Sequence, residues 1–421
     1  MGGAFRALQY RNYRLFFGGQ TLSLVGSWME TVAMGWLVWR LTGSSLLLGT
    51  VAFCSQIPAF IVSPVAGITA EKYDKRKILT ITQSLMALEA FVLAALTLTG
   101  IIRPWHIILT SVFVGIVSAF DMPTRQSFVI TIVEDKKVLG NAIALNSAQF
   151  NIARLIGPAI AGVTVAAIGE GYCFLINGIS FAAVLGALAM MRLYPHMIRD
   201  DQLERPLERV RQGATYAWNH KPISYLLQLM AITSLVSGAY SVMLPILTSR
   251  IFHRGSEVFG LMYSAVAVGA LIAVAMLATR PSVVGLGRWI FYASVIFNLG
   301  LIGLAFSPVL WVALISLVVV GFGSMKHMAS TNSVIQTLVD DRMRGRVMAF
   351  YMMSFVGTMP IGSFVGGLLA DRIGPQNTLA ASAAVGLLGS VLYFVRYPRM
   401  RQIMRPIYEE MGLLENARAA R

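Results

Sequence analysis

Long apolar segments follow one another along most of the chain, and only short polar segments separate them. Each is about as long as the roughly 20 residues that a helix needs to cross the hydrocarbon core of a bilayer. The pattern predicts about twelve transmembrane helices, with approximate ranges 13–40, 46–70, 78–100, 105–130, 139–168, 173–192, 223–249, 258–279, 289–306, 309–335, 347–370 and 377–396. We therefore expect an all-α membrane protein.

One longer polar segment, residues 193–222, divides this pattern. It predicts an N-terminal six-helix half at 1–192, a C-terminal six-helix half at 223–396 and a basic cytoplasmic tail at 397–421. Within the segment, apolar residues recur at helical spacing between arginines, which is typical of an amphipathic helix on a membrane surface; they are Leu203, Leu207, Val210, Ala214 and Ala217. We interpret the segment as a linker, and a regulatory partner site is the alternative.

The two halves share a sequence repeat. Ile156-Gly157-x4-Gly162-x5-Ile168-Gly169 in the first half recurs 205 residues later as Ile361-Gly362-x4-Gly367-x5-Ile373-Gly374. Parallel repeats of this kind are typical of transporters, in which the substrate site lies near the membrane midplane between the repeats. The repeat therefore predicts transport by alternating access, with two pseudo-symmetric halves.

Composition adds an orientation to this picture. Of the 421 residues, 56% are hydrophobic and 13% are charged, about half the charged share of a typical soluble protein. A net charge of +15 would suggest nucleic-acid binding in a soluble chain, but here most of the 34 Lys and Arg residues fall in alternate loops. Because cations collect in cytoplasmic loops, we expect both termini in the cytoplasm of a bacterial cell, an inner-membrane location and no nucleic-acid partner.

Motifs for other function classes do not occur in the sequence. Cys54 and Cys173 fall in separate predicted helices and the five histidines are scattered, so we expect neither a disulfide nor a metal site. The sequence contains no HExxH motif and no Walker motif. We therefore expect no catalytic residues and no cofactor; an intramembrane enzyme is the alternative from a different class.

Two motifs resemble signatures of the major facilitator superfamily. The loop between the second and third predicted helices reads Gly67-x2-Ala70-Glu71-Lys72-x-Asp74-Lys75-Arg76-Lys77, similar to the superfamily's pattern of a glycine, an acid and a run of basic residues. The fifth predicted helix contains Ala153-x3-Gly157-Pro158-x2-Ala161-Gly162, which resembles the signature of the antiporter branch. Ala153 and Ala161 stand where that signature favours glycine.

Three further segments are similar to the transmembrane secretion effector branch, which contains the enterobactin exporter. They are Phe5-Arg6-Ala7-Leu8-x-Tyr10-Arg11-Asn12-Tyr13-Arg14-Leu15-Phe16, Asp121-x-Pro123-x-Arg125-Gln126 and Asn141-Ala142-Ile143-Ala144-Leu145-Asn146-Ser147. The resemblance implies a monomeric secondary transporter that exports a siderophore-like or drug-like amphipathic molecule, exchanges it for protons and contacts membrane lipid. Uptake, or lysolipid translocation by the same fold, is the alternative.

Charged residues inside the predicted helices are candidates for function, because charges in a bilayer are costly and rare. A carboxylate poised between burial and a nearby cation can take up and release a proton. Glu30 is the first candidate for proton coupling and Asp121 the second. A permanent ion pair between Glu30 and Arg154, joining the first and fifth helices, is the structural alternative. Glu89 falls on a helix expected to lie at the outside, so we expect it to be mainly structural.

Asp121 and Lys326 are separated by the same 205 residues as the repeat. This spacing predicts that they face the cavity from opposite halves and approach each other when the inner gate closes. Local pairing of Asp121 with Arg125, four residues further along the same helix, is an equally weighted alternative.

The resemblance also implies that the first, fourth, seventh and tenth helices line the substrate cavity. On the first helix, five residues recur at spacings of three or four and form a partly polar stripe: Gln20, Ser23, Ser27, Glu30 and Met34. On the seventh helix, Tyr240 is the stronger candidate for the cavity wall and Gln228 the weaker one.

The basic loop at 67–77 is a candidate gate. Glu71 ends the second helix, and pseudo-symmetry places it near the start of the eleventh helix, whose dipole and Arg346 would attract it when the cytoplasmic side is closed. The alternative is that the basic residues only set topology. Gly67 is expected to allow close helix approach, and the other candidate gate residues are Lys72, Asp74 and Arg76.

Overall fold

A computed structural model describes residues 3–133, 135–192, 206–280, 282–340 and 342–414. Regular structure in these ranges is helical. The α-helices are α1 Arg11–Thr42, α2 Ser45–Lys72, α3 Lys75–Leu98, α4 Pro104–Ile132, α5 Leu139–Ile168, α6 Glu170–Met190, α7 Pro206–Asn219, α8 Lys221–Ile246, α9 Ser256–Ala278, α10 Leu286–Ala305, α11 Leu310–Leu338, α12 Arg344–Val356, α13 Thr358–Ile373 and α14 Pro375–Glu410. Short 3₁₀ turns occupy Gly3–Gln9 and Lys136–Val138, and a π-helical turn occupies Leu247–Ile251.

The helices have the length that membrane crossing requires. Eleven helical segments of the described ranges are long and apolar enough to cross a bilayer, and α1, with 32 residues, adds another of sufficient length. The expected all-α fold with about twelve membrane helices is confirmed.

Two elements differ from the ranges that hydropathy predicts. The last helix, α14, extends to Glu410 rather than ending near residue 396. It continues because Met400, Met404 and Tyr408 recur every four residues and are buried in a common core, so packing rather than lipid stabilises these turns. The predicted eleventh helix consists of α12 and α13, which meet at Gly357.

The chain forms two compact units. Unit 1 comprises Met1–Gln202 and His253–Ser264. In it, α1 packs against α5 and α6, α2 against α4, and α3 against α4 and α6. A core cluster that includes Tyr13, Phe16 and Phe128 joins one end of these helices.

Unit 2 comprises Leu203–Phe252 and Ala265–Arg421. In it, α8 packs against α13 and α14, and α10 against α11 and α14. The linker helix α7 packs on α8 and α12, and Ala217 of α7 is part of the core. Of the residues predicted for the amphipathic linker, Leu203 lies outside the described ranges.

Each unit contains a close helix pair at the repeated glycine. In unit 1, a Cβ added at Gly157 of α5 would approach Trp28 Cβ of α1 to 2.5 Å. In unit 2, a Cβ at Gly362 of α13 would collide with the carbonyl group of Leu235 in α8, whose carbon would be 2.6 Å away. Small residues let membrane helices approach backbone to backbone, so the repeat in sequence corresponds to a repeated packing device.

Candidate functional site

Glu30 faces α6 rather than α5. Its carboxylate accepts a short hydrogen bond from Nδ2 of Asn177, and Gly26, one turn earlier, lies against Asn177 and Ser180. The absence of a Cβ at Gly26 lets α6 come close enough for the amide to reach the carboxylate. Asn177 is itself buried, so this polar contact is enclosed by the helix bundle.

Glu89 of α3 is the second acid of this region. It is only 5% exposed, and the Thr110 hydroxyl of α4 donates to the carbonyl oxygen of Ile107 in its own helix at 3.1 Å. The charges of Glu30 and Glu89 act on each other. Unit 1 therefore contains two acids at one polar cluster, contributed by α1 and α3 and supported by α6. The sequence pattern, which placed Glu89 on an outer helix, did not indicate this association.

Arg154 has a different neighbour from Glu30. Its guanidinium lies over the ring of Trp28, 5.8 Å from the centroid, and Trp28 in turn packs edge-on against Phe150. The expected contact between the first and fifth helices is present, but the aromatic ring rather than a carboxylate meets the cation. The alternative of a permanent Glu30–Arg154 ion pair is therefore wrong. Although α1 and α5 are in contact, Glu30 binds Asn177 and Arg154 lies over Trp28.

The remaining residues of the polar stripe on α1 are partly enclosed. Gln20 and Ser23 are each 2% exposed, whereas Ser27 and Met34 are half-buried. The Ser27 hydroxyl donates to the Ser23 carbonyl oxygen at 2.9 Å, and Oε1 of Gln20 has no hydrogen-bond partner among the described residues. The role of this stripe as a cavity wall stays a prediction.

Asp121 is held by its own half. It is 3% exposed, and its Oδ1 accepts hydrogen bonds from Thr82 Oγ1 at 2.9 Å and Gln83 Nε2 at 2.7 Å, both on α3. Its Oδ2 lies 3.6 Å from Nε of Arg125. Local pairing with Arg125 is therefore confirmed.

Lys326 also extends toward a helix of its own unit. It is 3% exposed, and its Nζ lies 5.7 Å from the ring centroid of Trp289 on α10, a geometry in which the aromatic face attracts the cation. Arg280 is a second cation close enough to act on it. The proposed approach of Lys326 to Asp121 stays a prediction.

The two candidates on the seventh membrane helix, α8, have distinct surroundings. Tyr240 is 9% exposed, and its ring lies edge-on to Phe297 of α10 with centroids 6.1 Å apart. Gln228 is exposed, donates to Ser224 Oγ at 3.2 Å and accepts from Arg396 of α14 at 2.9 Å. Gln228 thus links α8 to α14.

The 67–77 loop is anchored in unit 1 by its polar residues. Asp74 caps α3 by accepting from the backbone nitrogen of Arg76 at 2.8 Å. The Arg76 guanidinium donates to the carbonyl oxygen of Ala189 at 3.0 Å, while Glu71 and Lys72 are exposed. A Cβ at Gly67 would meet no atom within 4 Å, so the prediction that this glycine allows close helix approach is wrong.

Arg346, the predicted partner of Glu71, lies in unit 2 at the start of α12. Its guanidinium donates a short hydrogen bond to Oε1 of Gln212 in α7. The linker helix therefore meets this arginine, and the contact with Glu71 stays a prediction.

The glycine motif on α5 packs against the N-terminal turns of α9. A Cβ at Gly162 would lie 2.7 Å from the carbonyl oxygen of Ser256, and one at Gly260 would collide with the carbonyl oxygen of Pro158. Two hydroxyls complete this seam: Ser256 donates to Gly162 at 3.2 Å, and Ser264 donates to Leu155 at 2.9 Å. Gly157, on a different face, meets α1 instead.

The structure contains a bidentate ion pair between Arg40 and Glu170 that the sequence did not predict. Nε of Arg40, at the end of α1, lies 2.7 Å from Oε1 of Glu170, and its Nη2 lies 3.1 Å from Oε2. Glu170 occupies the first turn of α6, where the helix dipole also favours an acid. Only the charge of these residues was visible in sequence, since 130 positions separate them.

The chain is similar to known transport proteins over most of its length. The family model described as transmembrane secretion effector matches residues 2–410. A staphyloferrin A transporter of Staphylococcus aureus (strain NCTC 8325 / PS 47) is 29% identical, with 91% of this chain and 96% of the relative covered. Multidrug efflux pump Tap of Mycolicibacterium fortuitum is 26% identical over 90% and 93% of the two chains. Macrolide efflux protein A of Streptococcus pyogenes is 22% identical over 90% and 95%.

Solved structures of transporters share the fold. A bacterial homologue of the iron transporter ferroportin, in an inward-facing state, has a TM-score of 0.72 at 16% identity, covering 91% of this chain and 98% of that chain. The nucleoside transporter NupG also has a TM-score of 0.72, at 14% identity, covering 92% and 99%. At these identities the similarity describes architecture, and transport of small molecules across a membrane is the activity common to the matched proteins, none of which is an enzyme.

Proposed function

The chain belongs to the transmembrane secretion effector family of major facilitator transporters, and we propose that it exports a small amphipathic molecule in exchange for protons. The exported molecule would be siderophore-like or drug-like, because the relatives include a staphyloferrin A transporter and a multidrug efflux pump. The word efflux in the names of two relatives supports the outward direction.

The observation that carries proton coupling is the acidic cluster of unit 1. Glu30 and Glu89 lie within membrane-spanning helices of the same unit, and the recorded donor to Glu30 is the neutral amide of Asn177. Arg154, the nearest cation expected from sequence, lies over Trp28 instead. Burial and like-charge repulsion both disfavour two ionised carboxylates in one low-dielectric region.

This arrangement supports a simple coupling scheme. In the closed cluster, one proton held on Glu30 or Glu89 would remove the repulsion, and the Asn177 amide would stabilise the remaining negative charge. Opening of the region to water would lower the cost of charging both acids, so the proton would leave. Asp121, which accepts from two donors on α3 and faces the Arg125 cation, would position α3 against α4.

The remaining parts of the proposal follow from charge and fold. We place both termini in the cytoplasm of a bacterial cell, because the lysines and arginines predominate in the loops on that side. The protein would work as a monomer in contact with lipid, with the proton gradient as its energy source and no cofactor.

A proteoliposome assay tests the proposal. The full chain would be reconstituted with a pH-sensitive dye inside, a pH gradient would be imposed, and siderophores, antibiotics and lysolipids would be added in turn. We expect a siderophore or drug to cause proton movement, and Glu30→Gln and Glu89→Gln each to reduce it at least tenfold. The matched control is Glu410→Gln, which removes an exposed acid at the end of α14 and is expected to change nothing.

Three results would contradict parts of this proposal. Unchanged proton movement in both Gln variants would remove the acidic cluster from coupling. Substrate movement that ignores the pH gradient would remove proton exchange altogether. Net accumulation on the cytoplasmic side, or a response to lysolipids alone, would favour uptake or lipid translocation.

A further inference from the structure

A cavity of about 500 Å³ lies in unit 2, away from the acidic cluster. It opens between the start of α10 and the extension of α14, and its walls include Gly285, Gly287, Arg288, Arg401, Arg405 and Tyr408. Its volume falls in the range of small-molecule sites. The export function does not use these residues.

The charge of the cavity is positive. Three of its ten lining residues are arginines and none is an acid. The charges of Arg288 and Arg401 both reach the phenol of Tyr397, another wall residue. Arg405 lines the cavity and also forms an ion pair, because its Nε lies 2.9 Å from Oε1 of Glu409 on the exposed side of α14. Guanidinium groups that converge on one space are suited to bind phosphate through paired hydrogen bonds.

The wall also contains a buried hydroxyl without a partner. Tyr408 is only 6% exposed, and its Oη has no hydrogen-bond partner among the described residues. A buried polar group left unsatisfied costs free energy, and Tyr408 is one of the residues that line the cavity. This hydroxyl is an observation independent of the arginines, and it indicates a ligand oxygen.

The beginning of α10 contributes a third feature. Gly285, at a φ of +83°, turns the chain into this 20-residue helix, and no side chain caps the helix N-terminus. The positive end of the helix dipole favours an anion. Gly287 keeps the wall compact, because a Cβ there would approach Tyr397 Cε2 to 2.6 Å.

We propose that this cavity is a binding site for a phosphate-bearing anion, held by Arg288 and Arg401 and by the Tyr408 hydroxyl. The site lies where α14 leaves the bilayer: its 36 residues span about 54 Å, well beyond the roughly 30 Å of hydrocarbon. The phosphate can therefore belong to the headgroup of an anionic phospholipid or to a soluble phosphate compound. Binding at this site joins the α9–α10 loop to the C-terminal extension.

The experiment measures binding without transport. The purified full chain in detergent would be titrated with glycerol phosphate and, separately, with phosphatidylglycerol, and its thermal unfolding would be followed at constant ionic strength. Native mass spectrometry would count retained phosphatidylglycerol. We expect one of the two probes to stabilise the protein, and the probe that does so identifies the source of the phosphate.

Three variants locate the effect. Arg288→Gln/Arg401→Gln is expected to weaken binding at least tenfold, because it removes both cations, and Tyr408→Phe about threefold, because it removes one neutral donor and leaves both cations in place. The matched control is Arg342→Gln/Arg399→Gln, which removes the same charge from two exposed arginines outside the cavity. It is expected to bind like the unaltered protein.

Two results would overturn the proposal. One is a failure of both probes to stabilise the unaltered protein. The other is equal weakening in the cavity double variant and the control double variant, which would mean non-specific attraction to net charge. Tyr408→Phe keeps the ring packed and therefore serves if the double arginine variant fails to fold.

Discussion

The two halves of this transporter share a close helix pair at the repeated glycine, but they differ in the polar side chains that they bury. In unit 1, α1, α3 and α6 enclose two acids, Glu30 and Glu89. In unit 2, the corresponding third and sixth helices, α10 and α14, are bridged by two neutral hydroxyls, Ser294 and Ser390, 2.7 Å apart. A neutral hydrogen bond is thus sufficient to build this helix pair. We therefore expect the acids of unit 1 to serve transport rather than helix packing.

The largest expected effect separates the halves by function. Glu30→Gln should reduce pH-driven transport at least tenfold, because the amide cannot release a proton, while substrate counterflow without a gradient changes less than about threefold. Ser294→Ala/Ser390→Ala should leave pH-driven transport intact and lower stability by about 1 kcal/mol. Both rates come from proteoliposomes with a labelled substrate. Equal loss of coupling in the two halves would remove the functional asymmetry.

The second comparison concerns the buried charges on α4 and α11. Asp121→Leu should lower the free energy of unfolding by about 3 kcal/mol, because the donors on α3 lose their acceptor. Lys326→Met should be neutral or stabilising, since it removes a buried cation that faces an aromatic ring and a second cation. Thermal unfolding of the purified variants measures both changes.

Transport by the same variants tests the cross-half pair. The pair predicts that Asp121→Lys/Lys326→Asp recovers activity that either single variant loses. If the swapped protein folds and neither single loss is recovered, the local partners account for both charges.

The third comparison concerns the repeated glycines. Gly362→Ala should lower the free energy of unfolding by about 2 kcal/mol, because overpacking costs about 1–3 kcal/mol. Gly157→Ala should lower it less, because a Cβ at Gly157 first meets a side-chain atom, whereas a Cβ at Gly362 meets backbone. Gly67→Ala is the control, since open space surrounds it. Fluorescence-detected thermal unfolding gives the order. A loss of stability at Gly67 as large as that at Gly362 would show that contact with a neighbouring helix does not govern these positions.

The smallest expected effect concerns the two loops that precede α3 and α10. In unit 2, Arg280 donates to its own loop at Ser282 and Val284, whereas in unit 1 Glu71 is exposed. If Glu71 stabilises the closed cytoplasmic gate, Glu71→Ala should shift the equilibrium between the inward-open and outward-open states by about 0.3–1 kcal/mol. Arg280→Ala should leave this equilibrium unchanged. Distances between spin labels on the two halves measure the balance. An unchanged distribution in Glu71→Ala would leave the loop with its topological role.

Much of the fold was predictable because it depends on the length and spacing of apolar segments, which can be seen directly in the sequence. Apolar length predicted the helices and their number, the 205-residue repeat predicted the two halves, and the resemblance of the motifs predicted the family. The end of α14 was missed because Met400, Met404 and Tyr408 are stabilised by packing that hydropathy does not measure.

The site was predictable only in part. Charge inside a helix identified Glu30 and Asp121, and the four-residue spacing identified Arg125. Partners on other helices depend on helix rotation, which a sequence of nearly uniform hydrophobicity leaves open. Asn177, a neutral residue 147 positions from Glu30, carries no signal of its own. Trp28, whose ring is the neighbour of Arg154, was not among the residues predicted from sequence.

The hydrogen bond between Glu30 and Asn177 has a consequence for how the protein is made. At about 5–20 residues per second, a ribosome needs roughly 7–30 s to synthesise the 147 residues between them. During that interval α1 must enter the membrane with an acid whose partner does not yet exist. We therefore expect the final packing of α1 in the membrane to form only after α6 has been synthesised.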